Sequence, residues 1–425
     1  MIRFLLKGLM RDRNRSLFPV LTVALGVMLT VLVSCWVRGI IGDVVDFNAR
    51  FSTGHVKIVT RAYSEEMDQI PNDLALDNID GLTAKLAQQF PTMKWVSRIR
   101  FGGLMDVPDE TGETRAQGPA MGLAIDLLSS RSGEIKRMNI SKSVVTGSLP
   151  KQPGEILLSN LFANQLGVTP GDRVTLLTAT MHGSMAITNF TVAGTVVLGV
   201  MAMDRGMVIM DLTDAQRMLD MSDSAGEILG YFPRRGYDTQ RADMTTNRFN
   251  GAFSDPNDVF SPIMIKLEDQ NDLGSILFFT SRISGIVTAF FLMVMSVVLW
   301  NAGLLGGLRR YGEMGVRLAI GEDKGHVYRT LVTESVLIGL IGSILGTALG
   351  LFFAYLLETI GIDIGKMVKN PGAMMMPTVF RAHVTTQAFY IGFIPGLLST
   401  ILGTMLSGIG IYKRKTAQLF KELEA

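Results

Sequence analysis

Four long apolar runs and one long mixed stretch divide the chain. The first run, Leu17 to about Val37, has no internal charge. At roughly 20 residues it is long enough to cross ~30 Å of hydrocarbon as a helix. Arg3, Lys7, Arg11, Arg13 and Arg15 precede it, and it continues through Trp36 and Arg38 with no small-residue cleavage site. It therefore reads as an uncleaved anchor rather than a signal peptide. The opening "MIRFLLKGLM" places Ile2, Leu5, Leu6, Leu9 and Met10 on one broad face, which suits a helix lying on a membrane surface.

The second run, Ile276 to Leu308, would be ~50 Å long as one helix, more than a bilayer needs. Ser281, Arg282 and Ser284 mark its start as a projecting stalk, with the span itself beginning near Ile286. The third run is about Val327 to Leu357. Its glycines Gly339, Gly342, Gly346 and Gly350 share one helix face, and such a face lets another helix approach closely in lipid. The alternative is that they are merely tolerated in a membrane helix. The fourth run, about Phe389 to Tyr412, contains Pro395, which is expected to kink it.

Charge between the runs sets an expected topology. The N-terminal arm is basic, the segment after the second run holds Arg309, Arg310, Arg317, Lys324 and Arg329, and the tail holds Lys413, Arg414, Lys415 and Lys421. Positive loops stay in the cytoplasm, so four spans with both ends inside are expected. Residues 42–275 and the shorter loop 358–388 then lie outside, while 309–326 and 413–425 lie inside.

The mixed stretch 42–275 carries regular structure. "GHVKIVT" (Gly54 to Thr60) alternates like a strand, and "DNIDGLTAKLAQQF" (Asp77 to Phe90) has helical spacing at Ile79, Leu82, Leu86 and Phe90. "KWVSRIRFGGLMDV" and "GPAMGLAIDL" read as strands joined by the turn "PDETGE". "GEILLSNLFANQLGV" is a strand then a helix. Two strands follow around a hairpin at His182-Gly183, then "GMVIMDLTDAQRMLDM" as strand and helix, "EILGYF" as a strand and Thr239 to Phe253 as a helix. The expectation is a membrane α-helical protein bearing an α+β extracytoplasmic domain of two subdomains, the inner block 126–222 being inserted.

Composition agrees. Hydrophobic residues make up 48% and charged residues 18%, with mean hydropathy +0.31. A net charge of +2 gives no basis for nucleic-acid binding. Cys35 is the single cysteine, so no intrachain disulfide can form, and His55, His182, His326 and His383 have no metal-ligand spacing. No nucleophile–base pair, paired carboxylates or phosphate-binding G-x-x-x-x-G-K-[ST] loop stands out. The spans lack the polar groups that an ion or sugar path needs.

Some residues carry two readings. Glu334, near the cytoplasmic end of the third run, can pair with an arginine of 309–326 or sit as a first-turn glutamate favoured by the helix dipole. Arg38 and Arg282 near span ends suit snorkelling. The Met-rich patches "VMAMDRGM" and "AMMMP" suit either a soft surface for an acyl chain or ordinary packing.

The segment "RRYGEMGVRLAIGEDKG" and the block "TGSLPKQPGEILLSNLFANQLGVTPGDRVTLL…FTVAGTVVLG" carry a resemblance. The chain resembles the MacB/FtsX type of ABC transporter permease, closest in layout to the lipoprotein-releasing, LolC/LolE-like branch. That family has R-x-x-E-I-G-x-x-x-A-x-G after the second span, then a glutamate opening a Gly-rich third span. Arg310, Glu313, Met314, Gly315, Ala319 and Gly321 match it, with Met314 in place of isoleucine, followed by Glu334. The resemblance implies that 309–326 is a coupling helix docking on a cytoplasmic ABC ATPase. Arg310, Glu313 and Arg317 would give register, and Met314, Leu318 and Ile320 apolar contact. It also implies a second permease copy or paralogue, ATP and Mg held by the partner ATPase with no cofactor in this chain, and a location in the bacterial inner membrane with the large domain in the periplasm. The expected activity is extrusion of a lipoprotein or other amphipathic lipid substrate from the outer leaflet. The short hairpin "MHGSM" weakens hand-over to a periplasmic carrier or adaptor. The alternative is an FtsX-like signalling scaffold acting on a cell-wall enzyme.

Overall fold

The computed structural model describes residues 13–129, 133–198, 201–233, 237–270, 273–308, 310–363 and 379–413. The amphipathic opening 1–10 and the "AMMMP" patch lie outside them. The chain divides into two compact units, one of residues 1–42, 278–363 and 379–425, the other of residues 43–277 and 364–378.

In the first unit four stretches are helical, long and apolar enough to cross a membrane. Helix α1 (Arg13–Asn48) runs well past the first apolar run and ends in a π-turn, Ala49–Thr53. The polar positions after Val37 interrupt the apolarity but are all compatible with a helix, so nothing stops it there. Further along the chain come α6 (Leu273–Leu308), the short α7 (Tyr311–Ala319), α8 (Lys324–Ile360) and α9 (Thr400–Lys413). Asp323 caps α8 by accepting from the Gly325 and His326 amides at 2.9 and 3.3 Å. Pro395 does not kink a helix interior. It lies at the start of a π-turn, Ile394–Ser399, that leads into α9, where a missing N–H costs little.

The second unit is built on ten strands: β1 (Val56–Thr60), β2 (Lys94–Pro108), β3 (Thr114–Ile125), β4 (Val144–Gly147), β5 (Glu155–Ser159), β6 (Arg173–Ala179), β7 (Met185–Val196), β8 (Met207–Asp211), β9 (Glu227–Tyr231) and β10 (Pro262–Lys266). Around them pack α2 (Ile79–Gln89), α3 (Asn160–Leu166), α4 (Leu212–Leu219) and α5 (Thr239–Phe253). The order β10-β1-β9-β2 is an antiparallel sheet. From β2 the pairing continues β3-β8-β5-β7-β6 and returns to β2, closing a six-stranded circuit. Closure removes exposed edges.

Strand β2 serves both parts. Its residues 94–98 pair with β9, and its residues 99–108 with β3. The sheet therefore does not break at residue 126, because the circuit already includes Ile99 to Ile125. One apolar cluster, with Ile58, Leu86, Ile99, Phe162 and Phe249, runs through both parts. A second gathers Leu123, Ile140, Leu157, Ile209, Met203 and Met207. Met203 and Met207 of the first Met-rich patch are thus packed in a core, not presented as a soft surface. Helix α2 is capped by Asn78, one residue after Asp77, in the left-handed region that Asn tolerates.

Candidate functional site

Helix α7 begins directly after the second span and is amphipathic. Tyr311 and Met314 are buried against Val327 and Leu331 of α8, and Leu318 packs on the same cluster. Gly315 is buried beside them. Met314, read from the sequence as an apolar contact for a partner, is 4% exposed and faces its own chain, while Leu318 is only partly buried. The outward apolar groups of the segment are Val316 and Ile320, the latter 82% exposed, with Ala319 exposed between them. Glu313 and Arg317 form an i,i+4 ion pair at 3.0 Å on the half-exposed side. Gly321, at φ +99°, turns the chain after the helix, a conformation that favours glycine.

Two contacts tie this segment to the spans. The Arg310 guanidinium forms an ion pair with the Glu334 carboxylate, about three turns into α8, with side chains 18% and 19% exposed. Of the two readings of Glu334, pairing with an arginine is the one observed. The Tyr311 hydroxyl donates to the Ser407 carbonyl of α9.

The glycine face is a packing seam. A Cβ on Gly342 would meet Val23 Cβ at 2.7 Å, one on Gly346 would meet Ala24 O at 2.5 Å and Val27 Cβ at 2.7 Å, and one on Gly350 would meet Val31 Cβ at 2.8 Å. Gly339 instead lies against Gly396 and Leu397 of the fourth span, at 3.2 Å. Three glycines of α8 therefore receive the valines of α1, which recur on one face of that helix. The spans are less bare of polar groups than their hydropathy suggests. Thr30, Ser335, Thr400, Thr404 and Ser407 are buried, but their hydroxyls bond back to carbonyls of their own helices. Arg38 does more than snorkel: its guanidinium donates to the Gln387 side chain. Arg282 lies over the Phe278 ring at 4.7 Å. Helix α6 meets the other spans at a few positions, with Leu299 against α1 and Gly303 against Thr400 of α9. Its apolar stretch is 6% buried, against 44%, 39% and 39% for the others, so its lipid-compatible face is left uncovered by this chain.

In the second unit a buried ionic network grips the end of α1. Arg98, on β2, is fully buried. Its Nε donates to Glu134 Oε2 at 2.8 Å, and its Nη atoms donate to the Arg50 carbonyl at 2.7 Å, the Phe51 carbonyl at 3.2 Å and the Tyr231 hydroxyl at 3.1 Å. Tyr231 donates on to the Ala49 carbonyl at 3.1 Å, Arg100 to the Ser52 carbonyl at 2.8 Å and Gln270 to the Thr53 carbonyl at 3.3 Å. Every carbonyl of the π-turn thus has a side-chain donor. A helix C-terminus exposes such carbonyls and favours cations.

Beside it, Lys57 and Glu227 pair at 2.6 Å, with Arg100 at 3.2 Å from Glu227. Burial pushes the Glu227 carboxyl up, but Arg100 and Lys57 outweigh it and hold it below the usual carboxylate range. Burial pulls Lys57 down to about 8, against the pull of Glu227. Both groups are therefore charged at neutral pH. Nothing in the sequence reading singled out Arg98. The available signal was its place in "VSRIR", where Arg98 and Arg100 share the β2 face of Val96.

A family model described as the MacB-like periplasmic core domain matches residues 16–275, more than half of the chain, and one described as the FtsX-like permease C-terminal region matches residues 285–416. Both describe parts of a transporter's membrane subunit rather than an enzyme domain. A lipoprotein-releasing system transmembrane protein LolC of Xylella fastidiosa is 24% identical over 237 residues, 53% of this chain and 55% of that protein. A macrolide export ATP-binding/permease protein MacB of Wolinella succinogenes is 27% identical over 114 residues, 27% of this chain and 16% of that protein. The chain spans about half the length of the LolC relatives it matches, and less of the MacB ones. The solved periplasmic region of MacB from Actinobacillus actinomycetemcomitans is matched over 54% of this chain and 91% of its own, at 11% identity and a TM-score of 0.33. On the two family models, this multi-pass chain with its periplasmic core domain belongs to the MacB/FtsX family of ABC transporter permeases.

Proposed function

We propose that the chain is the permease subunit of a machine in the bacterial inner membrane that expels a lipoprotein or another amphipathic lipid substrate from the outer leaflet. A separate cytoplasmic ATPase, holding ATP and Mg, docks on α7 through Val316 and Ile320, with Glu313 and Arg317 giving register. Both chain ends lie in the cytoplasm and the β-rich unit in the periplasm, as the arginines and lysines flanking the spans favour. The uncovered face of α6 packs against a second permease copy or a paralogue, with lipid filling what remains.

The observation that carries the reading is the Arg310–Glu334 ion pair, which joins the ATPase-docking segment to the third span. From there the contacts continue. Within the first unit the glycines of α8 seat on α1. Within the second, the carbonyls of the π-turn that follows α1 are held by Arg98, Arg100, Tyr231 and Gln270. Packed contacts and ion pairs of this kind can carry coupling between distant sites. The lipid or lipoprotein cargo is supported by the name of the LolC relatives.

Mild purification of the chain from its native membrane, with mass spectrometry of what is retained, tests the proposal. An ATPase together with lipid or lipoprotein lost on adding ATP supports it. An ATPase with a cell-wall hydrolase and no ATP-released lipid replaces it with the signalling reading.

A further inference from the structure

A cavity of about 430 Å³ opens in the second unit, beside the π-turn that ends α1. Its acidic and basic side chains are Asp46, Arg50, His55, Lys94, Lys136 and Arg137. Four of these are cations and one is an anion. Asp46 pairs with Arg50 at 3.2 Å. Arg137 is held in place from behind, by an ion pair with buried Glu134 and by stacking over the Tyr231 ring at 4.0 Å. Lys94 and Lys136 make no ion pair among the described residues, and both are exposed. His55 is buried, and its Nδ1 accepts the Phe232 amide at 3.0 Å. Burial, the largest influence, pulls this imidazole down to about 4, so at neutral pH it is uncharged, with its proton on Nε2.

The cavity is thus a concave site with an excess of positive charge and one guanidinium fixed in position. Carboxylates are single charges. A phosphate ester presents more acceptor oxygens than a carboxylate, with one charge as a diester and up to two as a monoester, which matches a mixed set of guanidinium and ammonium donors better. At ~30 Å³ per water molecule, the volume holds far more than one phosphate, leaving space for an ester group. We infer that this cavity binds a phosphate ester, held by Arg50, Lys94, Lys136 and Arg137. Arg50 lies on the turn that continues the first span's helix, so a ligand there touches the segment that Arg98 grips. The inference does not depend on which cargo the permease moves.

The test uses the full chain in a neutral detergent, titrated calorimetrically with dihexanoyl phosphatidylglycerol, with glycerol 3-phosphate and with inorganic phosphate. The variant Lys94→Glu/Lys136→Glu reverses two exposed charges without touching the buried network. Lys151→Glu, outside the cavity, is the control. The expected result is binding that weakens about ten-fold or more in the double variant and is unchanged in the control. Binding of the lipid alone identifies a headgroup as the ligand, and binding of the soluble phosphates as well identifies a site that also takes free esters. No binding by any of the three probes, or equal binding in wild type and double variant, overturns the inference.

Discussion

Arg310 and Glu334, 24 residues apart in sequence, meet in an ion pair that fastens the short amphipathic helix α7 to the span that follows it. Both side chains are about four-fifths buried, so removing one partner leaves the other charge poorly solvated. Glu334→Gln is expected to destabilise the chain modestly, by about 1–3 kcal/mol, and to reduce ATP-driven release several-fold while an associated ATPase still hydrolyses ATP. The charge swap Arg310→Glu/Glu334→Arg should recover part of the loss. Release assays on both variants, each beside its hydrolysis rate, check this.

The seam between α8 and α1 predicts a graded packing response. Gly346→Ala places a methyl against Ala24 O and Val27, and Gly346→Ile adds branching there. Overpacking of this kind costs about 1–3 kcal/mol, with the isoleucine worse. Gly285 of α6 has nothing within 4 Å of an added Cβ, so Gly285→Ala should be neutral. Thermal unfolding of the three variants in one detergent separates a packing seam from glycines that are merely tolerated.

Arg98 presents a sharper case. Removing one partner of a buried ion pair typically costs about 3–5 kcal/mol. Arg98→Met should therefore unfold the periplasmic unit readily, and Arg98→Lys should rescue only in part, because one ammonium cannot reach Glu134 and two carbonyls in the guanidinium's planar fork. The double variant Arg98→Met/Glu134→Leu should cost less than the sum of the two singles. A double-mutant cycle by chemical denaturation measures it.

His55 gives a pH dependence with a defined sign. Its folded value of about 4 lies below the usual 6.5. Between those values the unfolded chain takes up the proton and the folded chain does not, so stability falls as pH drops from 6.5 towards 4. The loss reaches at most about 3 kcal/mol. His55→Asn keeps an acceptor near the Phe232 amide and removes the titration. Its unfolding midpoint should change less between pH 7 and pH 5 than that of the wild type.

Much of the membrane unit was legible because it rests on local signals. Charge-free apolar runs of span length point to membrane helices, and glycines three and four residues apart mark one helix face. The strands were legible from alternation, as in "GHVKIVT", and the strand–helix pair in "GEILLSNLFANQLGV" from the change of period. What stayed hidden depends on distant partners. The burial of Arg98 requires Glu134 and the carbonyls of residues 50 and 51 to arrive from elsewhere. The parallel pairings β3–β8 and β5–β7, which close the circuit, join segments that no local pattern connects. The inward face of α7 is hidden for a related reason: with Tyr311, Met314, Leu318 and Ile320 all apolar, only the contact with Val327 and Leu331 decides which of them face inward.

In the proposed machine, α7 receives the force of a separate ATPase through its outward face. Ile320, 82% exposed and outside the buried cluster, is the residue to change. The decisive measurement is the amount of ATPase, and of lipid released on adding ATP, recovered with wild type and with Ile320→Asp purified side by side from native membranes. The account predicts that the wild type retains an ATPase and sheds lipid with ATP, while the variant, equally abundant and folded, loses both by about ten-fold or more. Equal ATPase retention and equal release by the variant, or no ATPase with the wild type, would contradict it.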